Sequence, residues 1–391
     1  MFNIMEMLEK QGHEVIPFSV RSDKNADTPY DKYFVDPIGG SDQVYYEDYK
    51  KTPRVIMQLI ARGVYSPAVK KAVKQIIADT KPDVAYILHF VNKLSPSVIS
   101  GAKALGLRVV VRLSDYFLLC PRFDFLRDGR VCEDCLSIGY AACIKNKCVK
   151  GSFFASVVRV AAMKIQKYIR VFDKVDLFIT PSQFLRDKLV ENGYGADRVI
   201  NITTFTPDTE HDPYKPGDYG LYFGRMSEEK GLLSLVEAYR LLGDGYKLLL
   251  AGGDANAEAL RLKAYIAEHG VGNVTFTGFL SGEALKNAVR GARYVFMPAL
   301  WYENIPNTVL EAFAAAKPVI SSRIGSLTEL VEDGENGLLH TPGDSQAIAR
   351  CVKRLDDDGL LINMSLNARR RFEERYTGDK HFDKLISALE G

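Results

Sequence analysis

Continuous runs of Val, Ile and Leu recur along this chain, each followed by a stretch of helical periodicity. That alternation restricts the fold more than any other feature. In the first half the runs are EVIPFSV (14–20), DVAYILHF (83–90), RVVVRL (108–113), DLFITP (176–181) and RVINIT (198–203). Helical patterns lie between them at about 54–79, 95–105, 154–173 and 182–192. The second half repeats the rhythm in YGLYFG, YKLLLAGG, NVTFTGF, RYVFMPA and KPVISS. A strand that is apolar throughout is covered on both faces, and parallel strands need helical crossovers. Both halves therefore predict doubly wound α/β domains. The 391-residue length agrees, since one core rarely serves so long a chain.

The stretch TPDTEHDPYKPGD (206–218), polar and with three prolines, reads as the connection between them. The expected division is a first domain over 1–207 carrying a cysteine-rich insert at 120–148, and a second over 208–370. A closing helix over 371–391 is expected to pack back on the first domain. Ligands of such sheets bind beyond the carboxyl ends of the strands, so two facing domains enclose a cleft.

The beginning departs from the pattern. MFNIMEMLEKQGHEV is an amphipathic helix, with Phe2, Ile4 or Met5, and Leu8 on one face and Gly12 as its C-cap. A doubly wound domain ordinarily opens with a strand and a glycine-rich turn. The N-terminal strand is missing from this reading, and the expectation is that it lies upstream of Met1, in roughly 15–20 further residues. A domain that simply starts with a helix is the alternative.

The formal charge of +2 makes no general case for nucleic acid. No apolar run approaches the ~18 residues of a membrane span, and no signal peptide opens the chain. These features point to the cytoplasm, where six cysteines serve more often as thiols or metal ligands than as disulfides.

Three strand ends carry the chemistry. In WYENIPNTVLEAFAAAKPVI (301–320) a helix is expected to start near Asn307 or Thr308, with Pro306 fixing the turn before it. Its first N–H groups would aim the positive end of the helix dipole into the cleft, where an anion can bind. Glu311, one turn inside, would repel that anion and is better suited to accept hydrogen bonds from hydroxyls. Glu303, on the preceding loop, reaches another part of the same ligand. In YFGRMSEEKGLL, Gly224 frees the backbone, while Arg225 supplies a planar fork and Lys230 a point charge for a diphosphate. LAGGD (250–254) is the third such end.

Taken together, GRMSEEKG, the GGD turn, NVTFTGFLS, ENIPNTVLE with its E-x7-E spacing, AAAKPVISS and ELVEDGENGLL resemble the retaining glycosyltransferases of family four, the group 1 glycosyl transferases of GT-B fold. The resemblance covers residues 219–340 closely and the first domain, through QGHEV, more loosely. It implies two facing Rossmann-like domains and a metal-independent hexosyltransferase with a nucleoside diphosphate sugar as donor, a UDP-sugar first among them. It implies Arg225 and Lys230 on the diphosphate, Glu311 on the ribose hydroxyls and Glu303 near the sugar. Gly224, Gly253, Phe279, Asn304, Ile305, Asn307 and Thr308 would complete the donor site, and Asn304 stands where the family usually has glycine. His89, ending DVAYILHF, resembles the family histidine that contacts the donor sugar; a histidine merely capping its strand is the alternative. Relatives often carry a histidine before Asp-Tyr, whereas this chain has Ser114 before Asp115-Tyr116. His89, Glu303, Arg225 and Lys230 are thus the catalytic candidates.

The segment CPRFDFLRDGRVCEDCLSIGYAACIKNKC (120–148) holds Cys120, Cys132, Cys135, Cys143 and Cys148. Its C-x2-C and C-x4-C pairs suit a structural zinc held by four of the five. Paired disulfides, free thiols or an iron–sulfur cluster are the other readings. A subgroup of the family has a similar insert after the segment matched here by DYFLLCP.

From Cys143 to Lys174 eight basic residues face Asp173 alone. Arg159, Lys164, Lys167, Arg170 and Lys174 are expected on one helical stripe, fit to rest on an anionic membrane carrying polyprenyl-linked acceptors. A solvated face is the alternative. The leading function is transfer of a sugar to a glycan or lipid-linked acceptor in surface polysaccharide synthesis, by a cytoplasmic protein peripheral at the inner membrane face. A UDP-sugar 2-epimerase of GT-B fold and a sugar-nucleotide or glycan-binding protein without turnover are the alternatives. If the first strand and its turn are absent, the chain should bind donor but transfer poorly.

Overall fold

The computed structural model describes residues 2–40, 52–91 and 93–391. The first domain contains β1 (Val84–Ile87), β2 (Arg108–Arg112), a small hairpin of β3 (Leu126–Arg127) and β4 (Arg130–Val131), then β5 (Leu177–Thr180) and β6 (Val199–Asn201). A parallel sheet runs in the order β1-β2-β5-β6, with Val84 opposite Arg108 and Phe178 opposite Val199. Val109, Val110 and Val111 are completely buried, as a strand covered on both faces requires, and each contributes about 1.5–3 kcal/mol by leaving water.

Two expectations fail in this domain. EVIPFSV forms no strand; Val20 makes a single isolated bridge to Val35. It runs along a cavity of about 1510 Å³, whose walls include Ile16, Phe18, Val84 and Tyr86. Without a ladder to β1 an extended apolar segment is not a strand. The helical pattern over 54–79 is two helices, Pro53–Val64 and Pro67–Thr80. Pro67 cannot continue the first, and Ser66 caps the second by accepting from the Val69 amide.

The second domain contains β7 (Tyr219–Phe223), β8 (Lys247–Ala251), β9 (Val274–Gly278), β10 (Tyr294–Met297), β11 (Val319–Ser322) and β12 (Gly337–His340). They form a six-stranded parallel sheet in the order β12-β11-β10-β7-β8-β9. The order reverses between β7 and β10. In an open α/β sheet that switch point is where the crevice opens.

The Gly378–Glu390 helix leaves the second domain and buries Leu385 and Ala388 against Val110, Leu177, Ile179 and Ile202. His381 Nδ1 lies 2.8 Å from the Thr203 carbonyl. Closer to the cleft, Glu329 of the second domain accepts from the amides of Gln183 and Phe184, at the start of the Gln183–Glu191 helix. A carboxylate there complements the helix dipole and ties the two domains.

Candidate active site

The site grows from the ends of β7 and β10. Gly224 leaves β7 at φ +144°, and a Cβ on Gly252 would stand 2.2 Å from the Gly224 carbonyl oxygen. Two strand ends thus meet backbone to backbone. A turn at Glu228–Lys230 follows, closed by Gly231 at φ +71°. A Cβ on Gly231 would lie 2.0 Å from the Pro298 carbonyl oxygen, and the Leu300 amide donates to the Glu229 carbonyl over 2.8 Å. Only glycine permits this approach. The basic loop after β7 is thereby pinned to the acidic loop after β10.

That pinning brings Lys230 Nζ to 2.5 Å from Glu303 Oε1, with both side chains largely buried. Trp301 Nε1 donates to the same oxygen over 2.7 Å, and the Lys230 ammonium lies 5.6 Å from the Trp301 ring centroid. Arg225 is more open, 65% exposed, and donates to Glu229 over 2.8 Å. Glu303 has the partner a buried carboxylate needs.

Beyond Glu303 the backbone is strained. Ile305 has φ +57° and is buried, a conformation costly for a β-branched residue. Ser326 Oγ holds the bend, donating to the Glu303 carbonyl over 2.5 Å and accepting from the Ile305 amide over 3.3 Å. The helix then runs Asn307–Ala314 with Pro306 at its N-cap and no side-chain cap. The helix thus starts at Asn307, as expected, though neither Asn307 nor Thr308 caps it. Proline fixes the entry one residue earlier, so Asn307 becomes the first helical residue and is exposed. No side chain caps this end, and the Val309 amide donates to the Pro306 carbonyl over 3.1 Å, so the amides of Asn307 and Thr308 are the ones that could meet a ligand. Thr308 Oγ1 reaches the Phe223 carbonyl at 3.5 Å.

Glu311 is partly buried, and burial alone raises its carboxyl above the usual range. Neutral hydroxyls would suit it better than an anion. Asn304 Oδ1 accepts from Ser182 Oγ over 3.0 Å, while its buried Nδ2 has no partner. His89 and Ser114 line the same cavity as Asn304, Ile305 and Asn307. The structure thus gathers Gly224, Arg225, Lys230 and Glu303 at the switch point and sets His89 across from the Asn307 end. Gly253 is exposed past β8, and Phe279 is 78% exposed past β9.

Sequence reasoning passed over Trp301, whose signal was being the only tryptophan in the chain and a near neighbour of Glu303. It also missed Tyr302, which packs edge-on to Phe184 with centroids 4.7 Å apart. The Tyr302 hydroxyl donates to Glu133 over 2.9 Å. Nothing in the local sequence signals a contact 169 residues apart.

All six cysteines are free thiols, with Cys120, Cys143 and Cys351 buried and Cys132, Cys135 and Cys148 partly so. Among the described residues no three His, Cys, Asp or Glu side chains are gathered as a ready metal site. The expected basic stripe is also corrected. Arg159 is buried and lies over the Phe123 ring at 4.5 Å, because its position on the Phe153–Tyr168 helix faces the insert. Lys174 turns to Ser100 Oγ at 3.2 Å. Lys164, Lys167 and Arg170 remain exposed.

Basic and acidic loops thus meet at the switch point of a doubly wound domain, the crevice where such folds take their ligands. Residues 217–358, the body of the second domain, match the family Glycosyl transferases group 1. The chain is 29% identical over 244 residues to the amylovoran biosynthesis glycosyltransferase AmsK of Erwinia amylovora, covering 57% of this chain and 58% of that protein. The chain spans about half the length of the curated relatives it matches. Among solved structures, sucrose-phosphate synthase of Thermosynechococcus elongatus superposes with a TM-score of 0.66 at 19% identity, over 98% of this chain and 92% of that one. HepE of Anabaena, solved in complex with UDP and glucose, gives a TM-score of 0.60 at 19% identity, over 83% and 81%. At such identities these two likenesses speak for the GT-B fold.

Proposed function

We propose that the chain is a retaining glycosyltransferase moving a hexose from a nucleoside diphosphate sugar, a UDP-sugar first among them, to a glycan or lipid-linked acceptor. The observation that carries the reading is the Lys230–Glu303 pair at the switch point, beside the uncapped start of the Asn307–Ala314 helix. Cleaving a sugar–phosphate bond develops negative charge on the departing diphosphate and positive charge on the sugar. Lys230, Arg225 and the amides of Asn307 and Thr308 are fixed donors for the first, and Glu303 is a fixed acceptor for the second. Together these residues supply the charge stabilisation that a metal-independent transfer needs. Glu311 would hold the ribose hydroxyls and His89 the sugar from the facing domain.

The relatives support the acceptor class. AmsK is named for amylovoran biosynthesis, and another relative is an Escherichia coli O-antigen chain mannosyltransferase. No helix among the described residues is long and apolar enough to cross a membrane. Peripheral binding at the inner face is supported by the Phe153–Tyr168 helix. It exposes Phe154, Ile165 and Tyr168 beside Lys164 and Lys167, and packs on Pro53–Val64, which exposes Met57.

A thermal-shift series with UDP-, GDP- and ADP-sugars tests the reading. One of them, at 100 times its dissociation constant, should stabilise the protein by about 2.7 kcal/mol. It should then be hydrolysed slowly when no acceptor is present. Binding with no turnover under any acceptor would leave a sugar-nucleotide-binding protein, and no binding by any would overturn the donor site.

A further inference from the structure

We propose that Tyr116 of the first domain is a positioning residue for Glu303 of the second. Its hydroxyl fixes the backbone bend from which the Glu303 side chain is aimed, so the bend is complete only when the two domains are closed on each other. The loss of rate expected below rests on the proposed function; the state of the bend does not.

The first observation is a backbone that needs outside support. Ile305 is β-branched, buried and at φ +57°, where such residues are outliers. It also precedes Pro306, and a residue before proline is ordinarily extended. A conformation of this kind persists only where its surroundings over-determine it. Within the second domain, Ser326 Oγ supplies two ties, to the Glu303 carbonyl and from the Ile305 amide.

The second observation is that further ties cross the cleft. Tyr116 Oη donates to the same Glu303 carbonyl over 3.2 Å, and Ser182 Oγ donates to Asn304 Oδ1 over 3.0 Å. A carbonyl oxygen has two lone pairs. At Glu303 one is met from each domain. The side chain of this residue meets Lys230 and Trp301, so a rotation of its peptide swings the carboxylate away from both.

The third observation is that Tyr116 is itself rigidly held. It is 2% exposed, and its ring packs against Phe125, Phe184 and Tyr302 with centroids 5.0, 6.4 and 6.4 Å away. Its amide donates to the Phe123 carbonyl over 3.0 Å, and its carbonyl accepts from the Cys120 amide over 2.8 Å. Burial, and then the neighbouring Glu303, hold its hydroxyl well above the usual tyrosine range, so it remains a donor. A buried tyrosine hydroxyl needs a partner, and this one finds it 187 residues away. Opening the domains breaks that bond. Glu329, accepting from the Gln183 and Phe184 amides, opposes the opening.

Trp301 is the only tryptophan of the chain and donates to Glu303, so its fluorescence reports the loop with neither donor nor acceptor present. Tyr116→Phe keeps the ring and removes the hydroxyl. In the full chain it should expose Trp301 to acrylamide, with a quenching constant about twofold higher. Tyr246→Phe, which loses a hydroxyl bonded to Asp356 over 2.6 Å, should quench as wild type does. A constant unchanged by Tyr116→Phe, or raised equally by Tyr246→Phe, would overturn the positioning role. In sugar transfer, Tyr116→Phe should lower kcat roughly tenfold. The KM for donor should change little, because Arg225 and Lys230 belong to the second domain. Easier quenching at an unchanged kcat would overturn the role in the reaction alone. Glu329→Gln, with Tyr116 intact, loosens the domain contact and should raise quenching likewise; it is also the variant read if Tyr116→Phe fails to fold. Wild-type quenching in Glu329→Gln would overturn the dependence on closure. Should wild type turn over no sugar nucleotide, the proposed function fails while the fluorescence still decides the bend.

Discussion

Lys230 Nζ lies 2.5 Å from Glu303 Oε1 although the residues are 73 apart in the chain. Both side chains are largely buried, so each neutralises the other until a ligand enters. On the proposed function, a diphosphate would compete with Glu303 for the ammonium, and a sugar hydroxyl would compete with Lys230 for the carboxylate.

Replacing Lys230 by Ala strands a buried carboxylate, a change that typically costs about 3–5 kcal/mol. The lower end is expected, because Trp301 still donates to Glu303. Arg225→Ala, at an exposed position, should change stability by less than about 0.5 kcal/mol. Both variants should bind nucleoside diphosphate more weakly by calorimetric titration. Unchanged affinity in both would move the donor site elsewhere.

Trp301→Phe keeps a ring over Lys230 and removes the indole N–H from Glu303. A hydrogen bond to a charged group contributes about 1.5–3 kcal/mol, so sugar transfer should slow by roughly 10- to 100-fold. A rate equal to wild type would reduce Trp301 to packing.

Gly231→Ala should lower the melting temperature strongly. Its Cβ would meet the Pro298 carbonyl at 2.0 Å from a positive φ, and neither backbone can yield easily. Gly253→Ala meets nothing within 4 Å and should melt as wild type does. Equal melting of the two variants would contradict the close contact between the loops.

His381 sets an acid limit on the docking of the closing helix. Burial depresses its pKa from 6.5 to about 4, so the unfolded chain takes up the proton first. Stability from this group is complete above the unfolded value and is lost as pH falls from about 6.5 toward 4. The difference is on the order of 3 kcal/mol. Denaturation with urea at pH 7 and pH 4.5 should show a smaller acid loss in His381→Leu than in wild type. An identical loss would place the acid sensitivity elsewhere.

Replacing Lys164, Lys167 and Arg170 together by Gln should abolish sedimentation with anionic vesicles. Binding by wild type should weaken as salt rises, because surface charge is screened beyond ~8 Å at physiological ionic strength. Wild type that never sediments would leave this helix an ordinary surface.

Much of this molecule was legible in the chain because its signals are local. Apolar runs named every strand of the second sheet except β12, whose four residues are too few to stand out. Arg225, Lys230, Glu303 and Glu311 were recognisable from their spacing around strand ends. The errors arose where a local pattern met a distant requirement. EVIPFSV has the composition of a strand, yet a strand exists only where another offers its backbone. Arg159 has the periodicity of a surface residue, yet its helix faces the insert.

By itself, the sequence determined which segments are apolar, where glycine and proline break them, and which charged groups stand near strand ends. Those properties follow from side-chain chemistry and spacing of a few residues. Only the tertiary structure decided that Lys230 neutralises Glu303, that Trp301 donates to it, that Tyr302 reaches Glu133 and that Arg159 is buried over the Phe123 ring. Each of these depends on groups distant in the chain being held at hydrogen-bond range or shut away from water together. The physical reason is that burial and pairing belong to assembled surfaces, and no single stretch of residues contains both sides of a contact.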